Sequence, residues 1–121
     1  MILWLASYPK SGNTLLRSLL SSYFYTADGV FNFELLKNIQ YFPSHIFYKN
    51  STIDITNDFE VMKNYIEVQK KFIQNKKRIL FLKTHSGFFR ANNHSFTNLQ
   101  NSLGAIYVVR DPRKVVVSYA N

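Results

Sequence analysis

Ile2-Leu3-Trp4-Leu5-Ala6, running on into Ser7-Tyr8-Pro9-Lys10-Ser11-Gly12-Asn13-Thr14, is the stretch whose reading decides the fold. An unbroken apolar run of strand length, without polar alternation, predicts a strand buried on both faces. The Pro and Gly that follow end it in a tight loop. From Thr14 onward Leu15, Leu16, Leu19, Leu20, Tyr23 and Phe24 recur at three- and four-residue spacing, with Arg17, Ser18, Ser21 and Ser22 between them. That period predicts an amphipathic helix. Strand, short polar loop and helix open a βαβ unit, so the expected class is α/β on a parallel sheet.

Working outward, residues 79–82 and 105–109 repeat the buried-strand pattern. The first ends in Lys83-Thr84-His85-Ser86-Gly87. The second ends in Arg110-Asp111-Pro112, a helix start in which Asp111 caps and Pro112 takes the first helical position. Residues 58–75 carry Phe59, Met62, Tyr65, Ile66, Val68, Phe72 and Ile73 at helical spacing, with Asp58 expected as the cap. Lys70, Lys71, Lys76, Lys77 and Arg78 gather at that helix's end, where cations suit the dipole and solvent. Residues 26–57 scatter their aromatics without a period and predict short helices and loops. No internal repeat, low-complexity tract or linker interrupts the chain.

The chain has 121 residues, 46% of them hydrophobic and 17% aromatic, which excludes a disordered tail and fits one globular unit. It has no Cys, which removes disulfides, thiol nucleophiles and Cys-held metals together. Its formal net charge of +8 calls for an anionic partner: nucleic acid, a phospholipid surface or a nucleotide-like small molecule. The first apolar run is too short for a signal peptide and no run reaches the roughly 18 apolar residues of a membrane span, so a soluble cytoplasmic protein is expected.

Each strand end carries a basic residue: Lys10, then Lys83 with His85, then Arg110 with Ser118 eight residues further on. In a parallel sheet these ends share one edge, where α/β proteins bind ligands. The turn Lys10-Ser11-Gly12-Asn13-Thr14 has a Gly for close approach and a helix start for an anion. It is not the nucleoside-triphosphate loop, because Gly-x-x-x-x-Gly-Lys-[Ser/Thr] is absent. Lys83 and His85 point the same way in an extended chain, which sets an imidazole base beside an ammonium. Arg110 brings a fork suited to phosphate. The histidines lack metal-ligand spacing, so no metal is expected, and His45 and His94 are given no role.

The segment Tyr8-Pro9-Lys10-Ser11-Gly12-Asn13-Thr14 resembles the 5′-phosphosulfate loop of sulfotransferases that use 3′-phosphoadenosine 5′-phosphosulfate (PAPS). Residues 106–119, with the same Arg-to-Ser separation, resemble that family's 3′-phosphate segment, and Lys83-Thr84-His85 its Lys-Thr-His segment. The resemblance covers the whole chain and implies a P-loop-like three-layer α/β fold. It implies that Ser11, Gly12, Asn13 and Thr14 cradle the 5′-phosphate and that Lys10 neutralises the leaving group. It further implies His85 as general base, Lys83 on the sulfuryl oxygens, Arg110 and Ser118 on the 3′-phosphate, and no metal. The expected partner is a small hydroxyl- or amine-bearing acceptor, with neither nucleic acid nor stable membrane insertion. Leu15 departs from the family's usual Trp, and a later Gly- and Lys/Arg-containing closing segment is absent, so residues 1–121 are expected to be the N-terminal portion of one such domain. Two alternatives stand beside this reading: a P-loop nucleotide kinase, and a non-catalytic basic module for nucleic acid or another anion.

Overall fold

Residues 2–7 are apolar up to Ser7 and form β1 (Ile2–Ser7), whose Ile2, Trp4, Leu5 and Ala6 side chains are buried. The computed structural model describes residues 1–74 and 76–120. β1 is followed by α1 (Asn13–Tyr25), a 3-10 helix (Phe33–Asn38), β2 (Gln40–Tyr41) and a second 3-10 helix (His45–Tyr48). Then come α2 (Asp58–Lys63), α3 (Tyr65–Ile73), β3 (Leu80–Thr84), a small hairpin of β4 (Arg90–Ala91) and β5 (His94–Ser95), β6 (Ser102–Val108) and α4 (Pro112–Ala120). The main sheet runs β2-β3-β1-β6 with every pair parallel. The parallel α/β class expected from the sequence is the class observed.

The two faces of the sheet fill different cores. Ile2, Trp4 and Leu82 face Phe42, Tyr48, Val68 and Phe96, with Tyr65 and Phe72 packed alongside. Leu5 and Phe81 face Ile39, with Leu16, Leu20 and Tyr25 of α1 against them. Three layers follow, with α3 on one side of the sheet and α1 on the other. On the first side Trp4 Nε1 donates to Ser102 Oγ at 2.8 Å. Thr97 Oγ1 lies 2.7 Å from Ser102 Oγ and donates to Gln69 Oε1 at 2.7 Å. Gln69 Nε2 donates to the Phe96 carbonyl at 2.7 Å, so this fully buried amide is satisfied at both ends.

Several boundaries differ from the sequence reading. The single helix expected over residues 58–75 is two helices, and Asn75 lies outside the described residues, as does Asn121. Asn64 divides them: it adopts φ −100°, ψ 2°, and its amide donates to the Glu60 carbonyl at 2.8 Å, closing α2 before α3 begins. The cap of α2 is Asn57 and not Asp58, since Asn57 Oδ1 accepts from the N–H groups of Phe59 and Glu60. At α4 the expectation holds, with Asp111 Oδ1 accepting from the Arg113 N–H at 2.9 Å ahead of Pro112. α1 turns a different stripe inward from the purely apolar one: Leu15 and Leu19 are exposed, while the Arg17 guanidinium reaches the Leu36 and Ile39 carbonyls at 2.9 and 2.6 Å. Two strong acceptors hold that arginine inward, and Leu16 and Leu20 follow it onto the sheet.

Candidate active site

β1, β3 and β6 all deliver their C-terminal ends to one edge of the sheet. A cavity of about 430 Å³ lies there, lined by Pro9, Lys10, Gly12, Asn13, Thr14, Lys83, His85, Arg110, Ser118 and Tyr119. All the residues singled out from the sequence meet here except Ser11. That side chain is buried and lines a neighbouring, mainly apolar cavity with Tyr107 and Val115. A third hollow, lined by Arg110, Asp111, Arg113, Lys114 and Ser118, adjoins the first through Arg110 and Ser118.

The loop after β1 owes its shape to two left-handed residues. Lys10 has φ +62° and Gly12 has φ +104°, on either side of Ser11. Alternation of this kind turns successive N–H groups toward one point, the geometry of an anion nest, and α1 adds its positive end. Glycine adopts such a φ freely, whereas lysine does so at a cost of about 1 kcal/mol. The Lys10 turn is held from outside by Arg110, whose Nη1 donates to the Lys10 carbonyl at 2.9 Å. Lys10 Nζ stands 5.9 Å from the Tyr119 ring centroid.

Lys83 and His85 project from the end of β3 toward the same cavity. Burial, and the nearby Arg17 cation, hold the Lys83 ammonium below the ordinary lysine value. Its Nζ also lies 5.6 Å from the Tyr41 ring, and that ring is 5.9 Å from the imidazole of His85. His85 Nδ1 is 2.8 Å from the Ser7 carbonyl oxygen. A carbonyl oxygen only accepts, so Nδ1 carries the proton and donates it, which leaves Nε2 as the ring's acceptor.

Among the described residues the cations of this edge have no acidic partners. Among the described residues the ion pairs are Lys37–Glu34 and Arg113–Asp111, and neither includes Lys10, Lys83, Arg110 or Arg17. No Asp or Glu lines the cavity. Positive charge left uncompensated in a partly enclosed site is a built preference for an anion. Among the described residues no group of His, Asp and Glu side chains is arranged to hold a metal ion, and no helix is long and apolar enough to cross a membrane.

Three contributors escaped the sequence reading. Tyr41 reaches Lys83 only because the two-residue β2 pairs Tyr41 with Lys83 across the sheet, a register no local pattern announces. Tyr119 lies one residue beyond Ser118 and sets its ring near Lys10 Nζ, a contact across the fold that no local pattern announces. Arg17 sat between apolar residues and read as the polar face of its helix.

A parallel sheet here gathers three basic loops around a cavity that no carboxylate lines, which makes that edge the candidate site for an anion. The family model for the sulfotransferase domain matches residues 2–121, and the chain belongs to that family. Searches of curated proteins and of solved structures each give no match.

Proposed function

We propose that this sulfotransferase domain takes its sulfuryl group from PAPS and delivers it to a hydroxyl or amine of a small-molecule acceptor. The observation that carries the reading is the convergence of Lys10, Lys83, His85, Arg110 and Ser118 on a single cavity without a carboxylate. In this reading the nest formed by residues 10–14 receives the 5′-phosphate. His85 Nε2 takes the acceptor's proton as the acceptor atom attacks sulfur and the bond from sulfur to the 5′-phosphate oxygen breaks. Lys10 neutralises the charge that grows on that oxygen, and Lys83 steadies the sulfuryl oxygens in flight. Charge stabilisation and in-line placement are what such a transfer needs from a protein. Arg110 and Ser118 take the 3′-phosphate, which separates this donor from ATP. The nucleotide-kinase alternative is disfavoured by the acid-free lining, because magnesium carried with a triphosphate is ordinarily held through carboxylates.

Calorimetric titration with adenosine 3′,5′-bisphosphate and with AMP tests the donor assignment. The bisphosphate is expected to bind at least about tenfold more tightly, the value of one charge-assisted contact. Equal affinities would remove Arg110 and Ser118 from the 3′-phosphate and leave the PAPS reading without support.

We also infer that residues 1–121 form the N-terminal portion of one sulfotransferase domain. The support is β6, an edge strand that exposes both faces: the neighbouring Ile106 and Tyr107, which point to opposite sides, are 38% and 66% accessible, in a sheet whose other long strands are buried. Parallel strands are ordinarily covered on both sides. Hydrogen exchange on a longer gene product would show β6 amides protected beyond their level in residues 1–121. Equal protection would make β6 a true outer edge.

A further inference from the structure

Asn13 was expected to serve the donor through its backbone N–H, and its side chain does something else. It opens α1 directly after Gly12, lines the cavity, and yet is only 4% exposed. The amide turns back beneath β1, where Nδ2 donates to the Leu5 carbonyl at 2.9 Å and to Ser7 Oγ at 3.1 Å. Both of its N–H donors are thereby used on the last turn of one strand. Ser7 is itself 3% exposed, and its two oxygens flank the same imidazole nitrogen: His85 Nδ1 is 2.8 Å from the carbonyl and 3.4 Å from Oγ.

The orientation of the Asn13 amide is fixed by its partner. Leu5 offers a carbonyl, which demands a donor, so Nδ2 must face it and Oδ1 must face away. Oδ1 is then buried without a hydrogen bond. An unmade bond of this kind costs about 1–3 kcal/mol, and one that persists in a native fold calls for a reason beyond stability. The reason is visible in the next link. A hydroxyl at position 13 has a single donor and could donate to only one of Leu5 and Ser7, whereas the amide donates to both.

We propose that Asn13 is a positioning residue for His85: its side-chain amide sets the end of β1 so that the Ser7 carbonyl accepts a hydrogen bond from Nδ1–H and Nε2 stays free to take a proton from the acceptor. The inference rests on the reading of His85 as the base. It joins two parts of the site in one residue, since the N–H of Asn13 belongs to the helix start that faces the donor while its amide reaches the base.

The test is long-range proton–nitrogen correlation NMR on the ¹⁵N-labelled chain, at a pH where His85 is neutral. The native protein is expected to show a protonated Nδ1 and an unprotonated Nε2. Asn13→Ala should move the tautomer ratio about fivefold toward protonated Nε2, the equivalent of about one hydrogen bond. If Asn13→Ala does not fold, Ser7→Ala removes the hydroxyl that Asn13 grips and is expected to shift the ratio in the same direction. A native His85 protonated at Nε2, or a ratio unmoved in the variants, overturns the relay. Loss of bisphosphate binding by the native chain with the tautomer as expected overturns the donor reading instead, so the two failures are told apart.

Discussion

Arg110 Nη1 donates a 2.9 Å hydrogen bond to the carbonyl oxygen of Lys10, a residue 100 positions earlier in the chain. The bond ties the end of β6 to the left-handed turn after β1, so one guanidinium both shapes the anion nest and stands in the cavity beside it. Arg110→Lys keeps the charge and loses the rigid fork. The expected outcome is an approximately tenfold weaker affinity for adenosine 3′,5′-bisphosphate by calorimetry, with little change in melting temperature because the side chain is exposed. Unaltered affinity would mean that Arg110 serves neither the turn nor the anion.

Lys10 combines backbone strain with its charge. Lys10→Gly relieves the φ of +62° and is expected to stabilise the fold by up to about 1 kcal/mol in urea unfolding, or less where glycine's extra unfolded-state freedom offsets it. The same variant should lower sulfuryl transfer by about 10²- to 10³-fold, the usual effect of losing one preorganised charge at the leaving group. A variant that keeps full transfer would take Lys10 out of the chemistry.

Gly12 separates space from conformation. A Cβ there would meet nothing closer than Val108 Cγ1 at 3.9 Å, an ordinary contact, while φ is +104°. Gly12→Ala is therefore expected to cost about 1 kcal/mol or more through backbone strain alone. Chemical denaturation measures it, and a cost near zero would show that the turn relaxes out of the left-handed region.

Lys83 carries its charge where burial and Arg17 oppose it, so its pKa in the folded state lies below the ordinary 10.5. For a lysine lowered by folding, the charged form is a penalty at pH values beneath the folded pKa. That penalty fades as pH rises through the folded value toward the unfolded one. Lys83→Met is expected to be modestly more stable than the native chain near neutral pH, by under about 1 kcal/mol given the partial exposure. The gain should vanish above about pH 10.5, where lysine is neutral in both states. Unfolding free energies at the two pH values decide it; a gain of the same size at both would assign the effect to packing.

The site was legible in the sequence to the extent that its residues lie next to strand ends. Lys10, Lys83, His85 and Arg110 follow continuous apolar runs, and parallel pairing carried each to the same edge. The β1 and β3 predictions fell within two residues of the observed strands, since buried strands announce themselves by unbroken apolarity. β2 and the β4–β5 hairpin were missed because two-residue strands have no period; only their partners define them. The break at Asn64 was missed because an asparagine amide competing for the Glu60 carbonyl is a side-chain event inside a sound helical pattern. The orientation of α1 was misjudged for the converse reason: apolar spacing placed Leu15 and Leu19 inward, and the two carbonyls that capture Arg17 belong to a distant 3-10 turn and its cap.

Trp4 is the chain's single tryptophan, fully buried on β1, with its indole N–H given to Ser102 on β6. The protein therefore contains its own optical gauge. Indole emission in this chain comes from one place, the seam between the strand that leads into the Lys10 turn and the strand that leads into Arg110. Its wavelength reads whether those two strands are docked, without label or added chromophore, while its position on the sheet face opposite α1 leaves it screened from events on that helix.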